Sequence, residues 1–465
     1  MVSRCRYYSI GLFKKYEKEE LKNLLKDGVI KDDEELNKLK DIYIQDERSL
    51  SEIEKEIKEL RFNKNLLDEK LKQEKVKSII KKAKEMGLET LVVSIKGNYP
   101  GIALADSFYE IDTRDYEKIL ETAKREKISG ICTSGTDVAV RAIGFVCDNL
   151  GLCGIPREAA WKVTDKLLMK EALKAGGVST ADFRKVASYE ECVESANALG
   201  FPVMVKAVDS SGSRGIHRAD RMEELEYAWQ EAKKVTKKSY VLVEEFIEAD
   251  EIGVDAFIGE EKIEAFFPHE KFTYMVNGTT MPIGHKFPYH ASKKLMENLK
   301  HQIELAIKAL GMKNCPLNAD VFVRGEQVWL IEVGGRTGAT CIPELISIYM
   351  GYDWYEKIIS YALGEKAEFQ SEETHPCMGA LLFSNQDGII EKIEMDKLKS
   401  LVQKGIEVQL DYQVGDKIEA MKNGTDRIGQ VIMRTGSEAE LEEALRHARE
   451  AVWLSKGNLE ERWKN

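Results

Sequence analysis

Residues 318–340, NADVFVRGEQVWLIEVGGRTGAT, leave the backbone little choice but a hairpin. Val321, Val323, Val328, Trp329 and Ile331 favour strands, and Arg324 to Gln327, containing Gly325, supplies the turn. With the arms paired about Glu326, position 322 faces 330 and Asp320 faces Glu332. Directly opposed residues in an antiparallel pair hold their Cβ atoms about 4.5–5.5 Å apart. Two carboxylates at that spacing repel, or one stays protonated. A hard divalent cation resolves the conflict, because oxygen ligands from two carboxylates suit Mg²⁺. The alternative is that both acids sit at the frayed, solvated ends of an ordinary hairpin. The remainder of the chain decides between them.

A chain of 465 residues is long enough for two to four domains with their own cores. Its net charge of −11 argues against a general nucleic-acid or anionic-membrane binder, since no basic excess is present to neutralise phosphates. No run of apolar residues is long enough to span a bilayer, and the N-terminus lacks the core of a signal peptide. The cysteines, at 5, 132, 147, 153, 192, 315, 341 and 377, form no C-x-x-C, and several lie in apolar runs. They read as reduced, buried thiols, which sets a cytoplasmic expectation. Cys341 lies near the hairpin acids, but no activating histidine is close in sequence. The histidines show no zinc spacing.

Residues 1–74 are dense in Lys and Glu and read as a charged helical segment, with apolar residues at Leu50, Ile53, Ile57, Leu60, Leu67 and Leu71. It is a solvated appendage or a contact arm, and these helices are the candidate homodimer contact. From 75 the texture changes. KSIIKKAKEMG, YEKILETAKREK and GTDVAVRAIGFVCDNLG read as helices, and LETLVVSI and ISGICTS as strands between them, which predicts a parallel α/β layer. Beyond Pro156 come strands at PVMVKAV, YVLVEEFI, GVDAFIG and KIEAFFP, with helices at 164–175, 189–199, 221–235 and 292–310. After about 368 follow a strand at MGALLFS and a final helix at 437–455. In the turn-rich stretch between them, Asp426 and Arg427 either line a substrate cavity or form a turn-stabilising ion pair.

Neither G-x-x-x-x-G-K-[ST] nor G-x-G-x-x-G occurs. Instead PVMVKAVDSSGSRGIHRA, 202–219, has a strand delivering Lys206, a loop from Asp209 to Gly215, and a returning strand. In that loop Ser210, Ser211, Gly212 and Ser213 are small enough for backbone N–H groups to wrap an anion, with Lys206 as point charge. A mobile hairpin loop is the plainer reading. Further on, Glu244-Glu245-Phe246-Ile247 ends a strand, and Glu251 follows. Free backbone groups there can read a purine edge, and carboxylates can accept from an exocyclic amine and from ribose hydroxyls. Lys166 starts a helix and can reach a phosphate. Taken singly, a surface ion pair accounts for Lys166, and solvated strand-end acids for Glu244 and Glu251.

In this order, over roughly 75–435, the sequence resembles the ATP-grasp superfamily, and LNADVFVRGEQVWLIEVGGRTGAT its amino-acid ligase branch. The resemblance implies a mixed α/β and α+β multidomain chain: a charged helical segment (1–74), a pre-ATP-grasp parallel α/β domain (75–155), an ATP-grasp domain of two α+β lobes (156–367) and a small α+β C-terminal domain (368–465). It implies ATP and Mg²⁺ as cofactors, with Mn²⁺ able to substitute, and small-molecule carboxylate and amine substrates joined through an acyl phosphate. By the same resemblance Asp320 and Glu332 are metal ligands. Lys166 and Lys206, with the serine–glycine loop, hold phosphates; Glu244 to Ile247 and Glu251 hold the nucleoside. Arg336 is catalytic, with Lys206 and a substrate-side His285. Many relatives carry Asn where this chain has Gly334, so one oxygen ligand must come from elsewhere. A bicarbonate-phosphorylating carboxylase or a silent nucleotide-binding protein are the alternatives.

Overall fold

Apolar residues on one side of short helices and central strands build the first layer. The helix Ile79–Glu85 buries Ile79, Ile80 and Ala83, and Tyr116–Glu126 buries Ile119, Leu120 and Ala123. Four strands lie among these helices: β1 (Ile10–Lys14), β2 (Glu89–Ser94), β3 (Ser107–Glu110) and β4 (Gly130–Cys132), in the order β3-β2-β1-β4. The chain is described from a computed structural model over residues 10–14, 79–97, 100–210, 215–260, 262–276, 279–422, 426–434, 436–454 and 457–460. The expected N-terminal helices, and Ser211, Gly212 and Ser213, lie outside these residues. The layer is not wholly parallel as expected. β2 and β3 are parallel, whereas β1 runs antiparallel to both β2 and β4. A strand from outside the helix–strand alternation needs no crossover to join in that direction.

A second sheet, ordered β5-β8-β6-β7, is antiparallel throughout. Its strands are β5 (Phe183–Val186), β6 (Val203–Lys206), β7 (Ile216–Ala219) and β8 (Val241–Glu245). The helices Tyr189–Leu199 and Met222–Val235 cover one face with Cys192, Ala196, Leu225, Ala228 and Trp229, so this lobe has its own core. β6 and β7 pair as a hairpin from Val203↔Ala219 to Lys206↔Ile216.

The third sheet holds the hairpin acids. It takes β9 (Asp250–Ile258), β10 (Ile263–Val276), β11 (Thr279–Phe287), β12 (Cys315–Arg324), β13 (Gln327–Gly334) and β14 (Cys377–Leu382). β12 alternates strictly, with 315, 317, 319, 321 and 323 buried. Those residues pack on Leu295, Leu299, Ile303, Ala306 and Leu310 of the helix Lys293–Leu310. The opposite face therefore carries Asn318, Asp320 and Phe322. β10 runs eight residues past the expected strand end at Pro268, and β11 was not expected. The missed signals are the Asn277-Gly278 pair between them and the two-residue alternation of His269 and Lys271.

C-terminally lie β15 (Gly388–Ile393), β16 (Ile406–Leu410), β17 (Lys417–Ile418), β18 (Gly429–Arg434), β19 (Val452–Leu454) and β20 (Gly457–Asn458). β18 and β16 continue the large sheet beyond β14, giving the order β13-β12-β9-β10-β11-β14-β18-β16. The expected boundary at 367/368 thus separates strands of one sheet. The final helix, Glu438–Ala451, opens with a Ser437–Glu440 capping box. Among the described residues no helix is long and apolar enough to cross a membrane.

Candidate active site

Asp320 and Glu332 are register partners, as expected, but by a different route. The turn is tighter: Arg324 pairs with Gln327, Gly325 takes φ +61°, and Phe322 faces Trp329 rather than 330. Val328 and Leu330 face the core. Unbroken alternation would send Glu332 after them. A bulge intervenes, because Val321 pairs with Leu330 while Asp320 pairs with Glu332, leaving Ile331 as the extra residue. It turns Glu332 onto the face of Asp320, and each carboxylate side chain is 37% exposed.

Each acid has an ammonium partner. Lys166 Nζ donates to Glu332 Oε1 at 2.9 Å and to the Ser210 carbonyl at 2.8 Å. Lys271 Nζ donates to Asp320 Oδ1 at 2.7 Å and also to Glu251 Oε1. Burial raises the Glu251 carboxyl above its usual range. Asp320 is also pushed up by burial, yet the Lys271 ammonium more than offsets this and holds it low. In the second lobe Lys206 Nζ donates to Glu244 Oε2 at 2.8 Å, and Lys170 Nζ lies 3.2 Å from the same oxygen. Glu244 is 2% exposed. Burial raises its carboxyl, but Lys170 and Lys206 bring it down to about 2. Glu245 accepts from the Asp182 N–H, and the Phe246 N–H is committed to the Pro202 carbonyl.

Arg336 is gripped on two sides. Its Nε and Nη2 donate to the two oxygens of Asp137 at 3.0 and 3.1 Å, and Nη1 donates to Asn318 Oδ1 at 2.7 Å. Asp137 comes from the loop after β4. Asn318 lies directly opposite Gly334, so a carboxamide reaches this edge from the neighbouring strand. A Cβ at Gly334 would lie 3.2 Å from Asp137 Oδ1, crowding the pair. The strap after Arg336 is fixed by Gly338 N–H to Asp255 Oδ1 at 2.8 Å and by Trp354 Nε1 to Thr337 Oγ1 at 2.8 Å. Thr340 and Cys341 then take φ +56° and +67°. Left-handed non-glycine residues cost about 1–3 kcal/mol each and cluster at working sites. Cys341 donates to Gln430 Oε1, which also accepts from Arg427; Arg427 pairs with Asp411 at 2.7 Å. Burial pushes the Cys341 thiol well up, which disfavours a nucleophilic role.

Beneath the acids lies a buried polar chain. Asp255 also accepts from Asn318 Nδ2 at 2.8 Å and His269 Nε2 at 3.3 Å. His269 Nδ1 lies 3.1 Å from His285 Nδ1, which extends the chain to a second imidazole. His285 is 3% exposed, and burial, then His269 and Lys271, push it well below its usual value. Gly253, opposite His269, makes room for the ring; a Cβ there would overlap Cε1 and Nε2. Gly253→Ala is therefore expected to cost about 3 kcal/mol in chemical denaturation. His269→Ala in the same chain should restore part of that loss, and an unchanged midpoint for Gly253→Ala would refute the fit.

The structure brings Lys166, Asp320, Glu332 and Arg336 to one end of the large sheet, and groups Lys206 with Glu244 in the second lobe. Glu251 joins the first group through Lys271. Sequence reading missed Asp137, Lys170, Asp255, His269, Lys271 and Asn318. Only Lys271 and His269 carried a local signal, the alternation of β10.

Two facing carboxylates suit magnesium, which keeps waters and takes phosphate oxygens. Among the described residues no group of three or more His, Cys, Asp or Glu side chains is placed to hold a metal. The description "ATP-grasp domain" matches residues 199–344, and "L-amino acid ligase C-terminal domain 2" matches 380–455. The structure resembles phosphoribosylglycinamide synthetase from Anaerococcus prevotii, with 30% identity, TM-score 0.66, and coverage of 81% of this chain and 95% of that one. The chain belongs to the ATP-grasp superfamily. More particularly it is an ADP-forming ligase of that family. L-amino acid ligase from Bacillus licheniformis shares the fold, with 17% identity, TM-score 0.68, and coverage of 82% of this chain and 95% of that one. Formate-dependent phosphoribosylglycinamide formyltransferase from a Nitratiruptor species is 28% identical over 284 residues, 58% of this chain and 69% of that protein.

Proposed function

We propose that the chain joins a carboxylate to an amine on amino-acid-like substrates, through an acyl phosphate. The reading rests on Asp320 and Glu332 sharing one face, each beside an ammonium, with Arg336 held nearby. A carboxylate oxygen attacks the γ-phosphorus of ATP and the bond to the ADP oxygen breaks. The amine then attacks the acyl carbon, loses a proton, and phosphate leaves. Asp320 and Glu332 would hold magnesium, or manganese in its place, which would supply positive charge to the phosphate oxygens. Lys166 and Lys206 hold phosphates, Glu251 the ribose, and Glu244 orders the strand end whose backbone reads adenine. Since the Phe246 N–H is committed, that reading falls to the Ile247 N–H and the carbonyls. Arg336 offers a planar fork to the carboxylate and then to the tetrahedral oxyanion. Catalysis of this kind is mainly positioning and charge stabilisation.

The test is ADP release, screened against single amino acids, amino-acid pairs, amines, bicarbonate, and formate with phosphoribosylglycinamide. Release that requires an amino acid together with a second amino acid or amine is expected. Release with bicarbonate selects a carboxylase, and release with formate and phosphoribosylglycinamide selects the chemistry in the relatives' names. Silence throughout selects a nucleotide-binding protein without turnover.

A further inference from the structure

Lys170 is the buried charge that the roles above leave unused. It sits one turn after Lys166 on the helix Lys166–Ala175 and is 1% exposed. Its ammonium has three neighbours: Glu244 Oε2 at 3.2 Å, Thr180 Oγ1 at 2.7 Å and the Ala181 carbonyl at 3.4 Å. Thr180 uses its single hydroxyl proton on the Leu330 carbonyl, at 2.7 Å. The two bonds fit one hydroxyl, which accepts from the ammonium and donates to the carbonyl.

Leu330 is the residue just before the bulge that turns Glu332 toward Asp320. β13 is the edge strand of its sheet. Its outward backbone groups at the bulge are satisfied from outside the sheet: the Leu330 N–H by the Ser179 carbonyl at 2.8 Å, and the Val333 N–H by Met169 Sδ at 3.2 Å. A bulge in an edge strand has ladder bonds on one side only, so these bonds fix its shape.

We propose that Lys170 is a positioning residue that couples the nucleotide pocket to the metal ligands, holding Glu244 with one contact and, through Thr180, the bulge that aims Glu332 with another. This rests on the reading above of Glu332 as a metal ligand. An ammonium is suited to the task because its three donors can serve a carboxylate, a hydroxyl and a carbonyl at once. A methionine of similar length keeps the packing and none of these bonds.

The experiment uses the full chain and calorimetric ADP binding with and without magnesium. The readout is the ratio of the two dissociation constants, which requires no substrate. Lys170→Met and Thr180→Val should each reduce the strengthening by magnesium about tenfold, the range for groups that orient metal ligands. The double variant should lose no more than Lys170→Met alone, because both break one chain. Thr180→Val is close to isosteric and decides the matter should Lys170→Met fail to fold. A lowered melting temperature with the wild-type ratio would mean a merely structural role and overturn the proposal. So would loss of the magnesium effect in Glu332→Gln alone. If Glu332→Gln itself keeps the effect, the metal reading is wrong and the coupling falls with it.

Discussion

Glu332→Gln should lower the rate of ADP release at least about 100-fold, the loss typical of removing one group that stabilises transferring charge. Glutamine matches the side chain in size, and the position is 37% exposed, so the bulge and the fold should survive. What disappears is the negative charge. Asp320 is left as the sole carboxylate of the pair, and Lys166 loses its 2.9 Å partner. Rates within a few-fold of wild type, in protein of unchanged melting temperature, would remove Glu332 from the reaction.

Arg336→Ala should cost at least about 100-fold as well, by the same reasoning about developing negative charge. The guanidinium is already oriented by Asp137 and Asn318, so little ordering remains for the reaction to supply. Its loss also removes both guanidinium bonds to Asp137. Arg336→Lys should recover little, because an ammonium cannot reproduce two parallel bonds to a carboxylate. If lysine restored most of the rate, point charge alone would suffice and the fork would be irrelevant. Pairing with Asp137→Asn separates the roles. Asparagine loses the ion pair but spares the guanidinium, so the double variant should be no slower than Arg336→Ala.

Most elements were legible locally. The helices at 189–199 and 293–310 follow from apolar spacing, and the hairpin of β12 and β13 from its β-formers and glycine turn. The facing of Asp320 and Glu332 was also anticipated, but with 322 opposite 330. The tighter turn and the bulge make two one-residue shifts that cancel. Nothing in the residue pattern announces a bulge, because its shape is set by Ser179, Thr180 and Met169, far away in sequence.

The amino-acid order by itself determined where strands and helices form and which residue types stand ready for phosphate and metal. Side-chain alternation, caps and turns act over a few residues, and that is the range a sequence displays. Tertiary structure alone decided who meets whom. Arg336 finds Asp137 across 199 residues, Lys166 finds Glu332 across 166, and Lys271 finds Asp320 across 49. Such pairings depend on how separate sheets and helices dock, and a buried charge settles on whichever opposite charge that docking brings within reach.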